Sequence, residues 1–138
     1  MSIEENVQVV KKFFAAMGSG DKQALLAVVA EDIQWIIPGE DWPLAGTHRG
    51  LARLAATLRK ASEEVEMTYP KPPELVAQGD RVLAIGVAVG KIKATDKTFE
   101  DHWVFDITLQ NGKLKSVTEY IDTQALARAS EMGASPRP

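Results

Sequence analysis

Two carboxylates stand among large apolar side chains in this sequence. Asp101 lies in Asp101-His102-Trp103-Val104-Phe105-Asp106-Ile107, and Glu119 lies in Val117-Thr118-Glu119-Tyr120-Ile121. Side chains alternate faces along a strand. Asp101 therefore shares a face with Trp103, Phe105 and Ile107, and Glu119 shares one with Val117 and Ile121. A carboxylate on an apolar face is costly unless it is hydrogen-bonded, paired or protonated. Such positions are where catalytic acids and bases tend to be found. Asp101 reads as such a base, and Glu119 as a second acid or a polar hook for substrate. In one shared pocket, desolvation and mutual repulsion would hold at least one of them above the ~4 of a free carboxyl. The structural alternatives are a bond from Asp101 to nearby backbone, Trp35 or Trp103, and a pairing of Glu119 with Arg49 or Lys91.

Other reactive groups are few. The chain has no cysteine, which excludes disulfides and thiolate metal sites. Of its two histidines, His102 points to the face opposite Asp101 and reads as a surface or subunit-interface residue, and His48 reads as a solvated loop residue. Neither stands at a metal-ligand spacing, so no metal and no cofactor is expected. Phe14, Met17, Trp35, Trp42, Tyr69 and Trp103, with Val117 beside Glu119, would line a cavity for a flat apolar ligand. The same residue types at these spacings also build cores.

Positioning these groups falls to a hairpin over residues 98–121. Its two strands meet at Gln110-Asn111-Gly112-Lys113, where Asn-Gly between apolar runs marks a tight turn. Before it, Ile3, Val7, Val10, Phe14 and Met17 make a helical stripe, widened by Val9, Phe13 and Ala16. Gly18-Ser19-Gly20 ends that helix, and Asp21 caps a second carrying Leu25, Leu26 and Val29. A short strand, Ile33 to Ile37, stops at Pro38-Gly39. Residues 39–50 read as an irregular loop at a pocket rim, carrying Trp42. Leu51, Leu54, Leu58 and Ala61 form a third helix. Val65, Met67 and Tyr69 alternate before Pro70-Lys71-Pro72-Pro73 places that segment at an edge. Val82 to Val89 is nearly all apolar, as for a strand covered on both faces. Asp122 or Thr123 caps a last helix, and residues 133–138 read as a disordered polar tail after one domain over 1–132.

The length of 138 residues suits one domain with a real core. A net charge of −3 argues against nucleic acid or an anionic membrane as partner. The start, Met1-Ser2-Ile3-Glu4-Glu5, has no basic segment leading into an apolar one, and no run nears the ~18 apolar residues of a membrane span. A cytoplasmic protein is expected.

The order of elements resembles the NTF2-like superfamily, in its ketosteroid isomerase-like and SnoaL-like branch. The resemblance rests on Val9-Val10-Lys11-Lys12-Phe13-Phe14-Ala15-Ala16 with Gly20-Asp21, on Trp35-Ile36-Ile37-Pro38-Gly39, and on Gly46-Thr47-His48-Arg49-Gly50. It continues through Asp101 to Phe105, Asn111-Gly112-Lys113, and Glu119-Tyr120-Ile121-Asp122-Thr123. It implies an α+β fold: a cone-shaped, curved antiparallel sheet with three N-terminal helices on its concave face, the NTF2-like or cystatin-like α+β roll. In the steroid isomerases, a helical tyrosine and a protonated strand aspartic acid hold an oxyanion while another aspartate moves the proton. The resemblance places Asp101 at the strand aspartic acid, but Phe13 at the tyrosine and Ile37 at the proton carrier. That arrangement is therefore not implied. In SnoaL-like cyclases the aspartate at the position of Asp101 is the base, which this chain keeps. Glu119, Tyr120 and Asp122 are similar to the end of the last strand in limonene epoxide hydrolases. No Arg-x-Asp stands in residues 82–93, which argues against their mechanism.

The function expected is proton transfer on a small apolar or polycyclic carbonyl compound, without a cofactor, in a homodimer formed through the sheet face opposite the pocket. The alternative is a binding or dimerisation module without turnover.

Overall fold

Ser2 starts the first helix. Its Oγ accepts from Glu5 N at 3.1 Å while Glu5 Oε1 accepts from Ser2 N at 3.1 Å, so two otherwise unpaired N–H groups are satisfied. The computed structural model describes residues 2–40 and 44–130. Trp42 and the tail expected at 133–138 lie outside the described residues.

Helix α1 (Ile3–Ser19) ends at Gly20, whose φ of 69° is the left-handed conformation glycine adopts freely. Asp21 then caps α2 (Lys22–Val28) by accepting from Ala24 N at 3.1 Å. The face of α1 turned into the core is Asn6, Val10, Phe13 and Ala16, and not the expected stripe through Ile3, which is 47% exposed. The broad apolar arc of this helix is divided. Phe13 packs in the dry core, and Phe14 and Met17 face the cavity described below.

The strands are β1 (Val29–Ile37), β2 (Gly46–Arg49), β3 (Val65–Thr68), β4 (Glu74–Gln78), β5 (Arg81–Ile92), β6 (Thr98–Gln110) and β7 (Lys113–Tyr120). Helix α3 (Leu51–Glu64) separates β2 from β3, and α4 (Thr123–Ala129) follows β7. The order across the sheet is β2-β1-β7-β6-β5-β3, with β4 also on β5. All pairings are antiparallel except β1 with β7, which is parallel. The sheet curls into a half-barrel, and α1 packs on β4, β5 and β7 while α3 packs on β1, β2 and β3. The α+β roll is the observed fold.

The β6–β7 turn is the one that Asn-Gly signals: Asn111 and Gly112 have φ of 53° and 77°, as a tight hairpin with right-handed strand twist requires. Near it the register slips, with Thr108 opposite Ser116 but Leu109 opposite Leu114. The extra residue, Lys115, is a bulge that lets Leu114 and Val117 both point into the core. The prolines at 70–73 divide one edge into β3 and β4, which pair with the two halves of β5.

Two expectations are corrected. Residues 39–50 are not wholly irregular, since they hold β2, where His48 pairs with Trp35 of β1. Four residues between glycines are too short to show a period, and the free edge of β1 supplies the ladder. Strand β5 is not covered on both faces: Ile85, Val87 and Val89 are exposed on the outer face, because the helices occupy only the concave side.

Candidate functional site

Cross-strand partners share a face, so the register gives the inner wall row by row. Ala84, Phe105 and Glu119 form one row, Gly86 and Trp103 the next, then Ala88 and Asp101, then Gly90 and Phe99. Asp101 and Glu119 thus face the same concave side with the Trp103 row between them. Asp101 and Phe105 are four residues apart, roughly 14 Å along β6 at ~3.4 Å per residue. Their backbone positions are two rows apart on one wall, and among the described residues no hydrogen bond joins the two carboxyls.

A cavity of about 1580 Å³ opens on this wall. Small-molecule sites usually run to roughly 300–1,000 Å³. Both carboxylates line it, with Phe14 and Met17 from α1, Trp35 and Ile37 from β1, and Trp103 and Phe105 from β6. Residues 70–73 and α4 contribute its rim. The aromatics contact one another: Trp103 and Phe105 have ring centroids 4.9 Å apart, Phe14 and Trp103 5.7 Å, and Trp35 meets Phe105 edge-on at 5.6 Å.

Each carboxyl is anchored by one oxygen. Glu119 Oε2 accepts from Trp35 Nε1 at 3.1 Å, and Asp101 Oδ1 accepts from the backbone N–H of Asp122 at 2.8 Å. Among the described residues their second oxygens have no such partner. Burial pushes the Glu119 carboxyl from its ordinary 4.5 up to about 7; the Trp35 N–H works the other way, and the Asp101 charge adds to the rise. Burial also raises Asp101, against the Asp122 N–H, which favours the charged form; the Asp122 carboxylate raises it further and His102 lowers it. Desolvation is the first cause of both shifts, and the expected repulsion acts beside it, since the Asp101 charge adds to the rise of Glu119. Tyr69 is at the cavity mouth, 55% exposed, with its ring edge-on to Trp103 at 6.4 Å. Its hydroxyl is also raised, by burial and then by the charges of Glu119 and Asp101.

Phe14, Met17, Trp35, Tyr69, Trp103, Asp101 and Glu119 are brought together on this cavity. Val117 is not: it is fully buried in the core, one row behind Glu119 and opposite Ile107. His48 is not solvated. It is 6% exposed, with Nε2 2.8 Å from the Leu44 carbonyl and Nδ1 3.3 Å from Thr57 Oγ1, and it ties the segment after Gly39 to α3. The alternative expected for Glu119 is not formed either: among the described residues neither Arg49 nor Lys91 pairs with it, and Lys91 pairs with Asp96 at 2.9 Å. Asp101 does take the backbone bond anticipated for it. Among the described residues no group of three or more His, Cys, Asp or Glu is placed to hold a metal ion, and no helix is long and apolar enough to cross a membrane.

The family model of the SnoaL-like domain matches residues 10–117. The chain belongs to the SnoaL-like family. Among solved structures it is similar to an NTF2-like protein from Burkholderia xenovorans, at 68% identity and a TM-score of 0.87 over 95% of this chain and 99% of that one. It is also similar to an NTF2-like protein from Burkholderia thailandensis, at 28% identity and a TM-score of 0.84 over 95% and 99% of the two chains. TerC, co-crystallised with polyporic acid, shares the fold at 23% identity and a TM-score of 0.82 over 91% and 97%.

Within this SnoaL-like domain, sequence reasoning missed Phe99, Phe105, Met67 and Leu75 as cavity residues. Phe99 and Phe105 share the alternation that singled out Asp101, so the signal was present. Met67 and Leu75 depended on which halves of β5 their strands would join, and that is a tertiary choice. Helix α4 was expected, but nothing local tells that Gln124, Leu126 and Ala127 close one side of the cavity.

Proposed function

We propose that this SnoaL-like domain binds a flat, conjugated carbonyl compound and moves a proton on it. The observation that carries this reading is the pair of carboxyls, each tied by one oxygen and each lifted by burial, two rows apart on one apolar wall. Asp101 is the base. It takes a proton from carbon, the C–H electron pair moves through the conjugated bonds, and charge collects on the carbonyl oxygen. Glu119, with a midpoint near neutrality, is half protonated there and donates to that oxygen; the Asp101 proton then goes to another carbon while the enol O–H proton returns to Glu119, which restores the carbonyl and completes an isomerisation. Conjugation connects two groups set this far apart. Trp35 and Trp103 hold the ring system.

The test is exchange of the γ-protons of a bicyclic enone in D2O, followed by proton NMR. Wild-type protein is expected to accelerate exchange and Asp101→Asn to abolish it while still binding the enone. Binding without exchange in wild-type protein would favour the second reading, a binding module. The Asp101–Asp122 bond supports that alternative, because it gives the carboxylate a structural use.

The reading includes a second copy of the chain on the outer sheet face. Ile85, Val104 and Tyr120 form one cross-strand row there, with Val87 and Val89 beside them. Beside this patch Arg81 pairs with Asp106 at 2.6 Å, His102 Nε2 lies 2.6 Å from Glu100 Oε1, and the exposed Glu74 stands opposite Ile85. The patch therefore offers an apolar surface that a second copy could cover. Sedimentation equilibrium is expected to give twice the 15.0 kDa chain mass at micromolar concentration. A single-chain mass would refute the dimer.

A further inference from the structure

The inner wall beside Asp101 has an asymmetry between its two strands. On β6 the inward residues are Phe99, Asp101 and Trp103; opposite them on β5 stand Gly90, Ala88 and Gly86. Every large group faces a minimal one. A Cβ placed on Gly86 would lie 2.5 Å from Trp103 Cζ2 and 2.9 Å from Cε2. One placed on Gly90 would lie 2.5 Å from both Cε1 and Cζ of Phe99, and 3.0 Å from Met67 Sδ. Neither glycine has a positive φ. Both are in ordinary extended strand, so backbone freedom does not explain them. Space does. The two rings lie flat across β5 in volume that any side chain would fill.

We propose that Gly86 and Gly90 are the size-determining residues of the cavity, acting on the ligand through Trp103 and Phe99. Because the rings lean over bare backbone, the wall is recessed and admits a fused-ring ligand beside Asp101. A Cβ at Gly86 forces the indole about 1 Å or more off the strand to regain normal contact. The indole is already neighboured by Phe105 at 4.9 Å and Phe14 at 5.7 Å, and Phe14 lies on the helix across the cavity. The displaced ring therefore moves into the space a ligand would use. Selection by size is set on β5 by residues that need not touch the ligand. This deepens the proposed function and rests on its ligand-binding half, not on proton transfer.

The test uses three phenols of increasing ring number, phenol, 2-naphthol and hydroxypyrene, with affinities measured by calorimetry and tryptophan fluorescence. Wild-type protein is expected to bind all three, hydroxypyrene most tightly. Gly86→Ala is expected to weaken hydroxypyrene by about tenfold or more, the scale of an overpacked side chain, and phenol by less than about twofold. Gly90→Ala is expected to follow the same order through Phe99. The double variant Gly86→Ala with Trp103→Phe makes room for the added methyl while keeping a ring on the wall, and is expected to bind hydroxypyrene more tightly than Gly86→Ala does. It also removes the Trp103 N–H, which is buried without a partner among the described residues, so it remains informative if Gly86→Ala alone folds poorly. Equal losses for all three phenols, unchanged affinities in both alanine variants, a double variant that binds hydroxypyrene no more tightly than Gly86→Ala, or no binding by wild-type protein would each overturn the proposal. Wild-type binding without enone exchange would instead defeat proton transfer and leave the size rule standing.

Discussion

Trp35 donates its indole N–H to Glu119 Oε2 at 3.1 Å, across 84 positions of sequence. The contact exists because β1 runs parallel to β7, with Trp35 opposite Val117, so the indole reaches one row along to the carboxyl. A hydrogen bond to a carboxylate favours its charged form, yet Glu119 still sits near 7 because burial outweighs that single bond.

Trp35→Phe keeps the ring and removes the donor. The Glu119 midpoint is expected to rise further, by about one to two pH units, since a hydrogen bond to a charged group contributes roughly 1.5–3 kcal/mol. Carboxyl NMR of the variant checks this. An unchanged or lowered midpoint would show that the bond does not act on the charge.

The same carboxyl sets a pH dependence of stability. Its folded midpoint, about 7, is above the ordinary 4.5, so between those values the folded state binds more protons than the unfolded state. Stability should therefore fall as pH rises from about 4.5 through about 7 and level off above. Asp101, raised in the same direction, adds to that slope. Glu119→Gln should flatten the curve and be the more stable protein above pH 7, by up to about 3 kcal/mol. Urea unfolding across this range measures both. A wild-type curve that rises through the interval would contradict the buried carboxyl.

Asp101 also holds α4 in place. Its Oδ1 accepts the N–H of Asp122, the residue whose own side chain caps α4 by accepting from Ala125 N at 3.0 Å. Asp101→Asn keeps an oxygen for that bond, whereas Asp101→Leu loses it. Amide hydrogen exchange at residues 122–126 is expected to be near wild type in the first and about tenfold faster or more in the second, the loss of one charge-assisted bond. Equal protection in both variants would mean that α4 is held by its packing alone.

How far the fold could be read in advance follows from where each signal resides. The Asn111-Gly112 turn and the alternation along β6 are local, and they placed Asp101, Trp103 and Glu119 on one inner wall. Val117 shares the Glu119 face but lies one row deeper, and depth depends on the curl of the whole sheet. His48 looked solvated because its neighbours are glycine, threonine and arginine. Its burial comes from Leu44 and Thr57, which only the packing of α3 brings to it. The distance between the two carboxyls depends on the register of β6 with β7, so the expectation of mutual repulsion could not be weighed against desolvation from sequence.

The central claim, two carboxyls lifted by burial on one apolar cavity, is tested most directly by a carbon-13 NMR titration of the Asp101 and Glu119 side chains, assigned with Asp101→Asn and Glu119→Gln. Glu119 should titrate near 7 and Asp101 above its ordinary 3.8. Two midpoints at the ordinary values of free carboxyls, about 4, would contradict it.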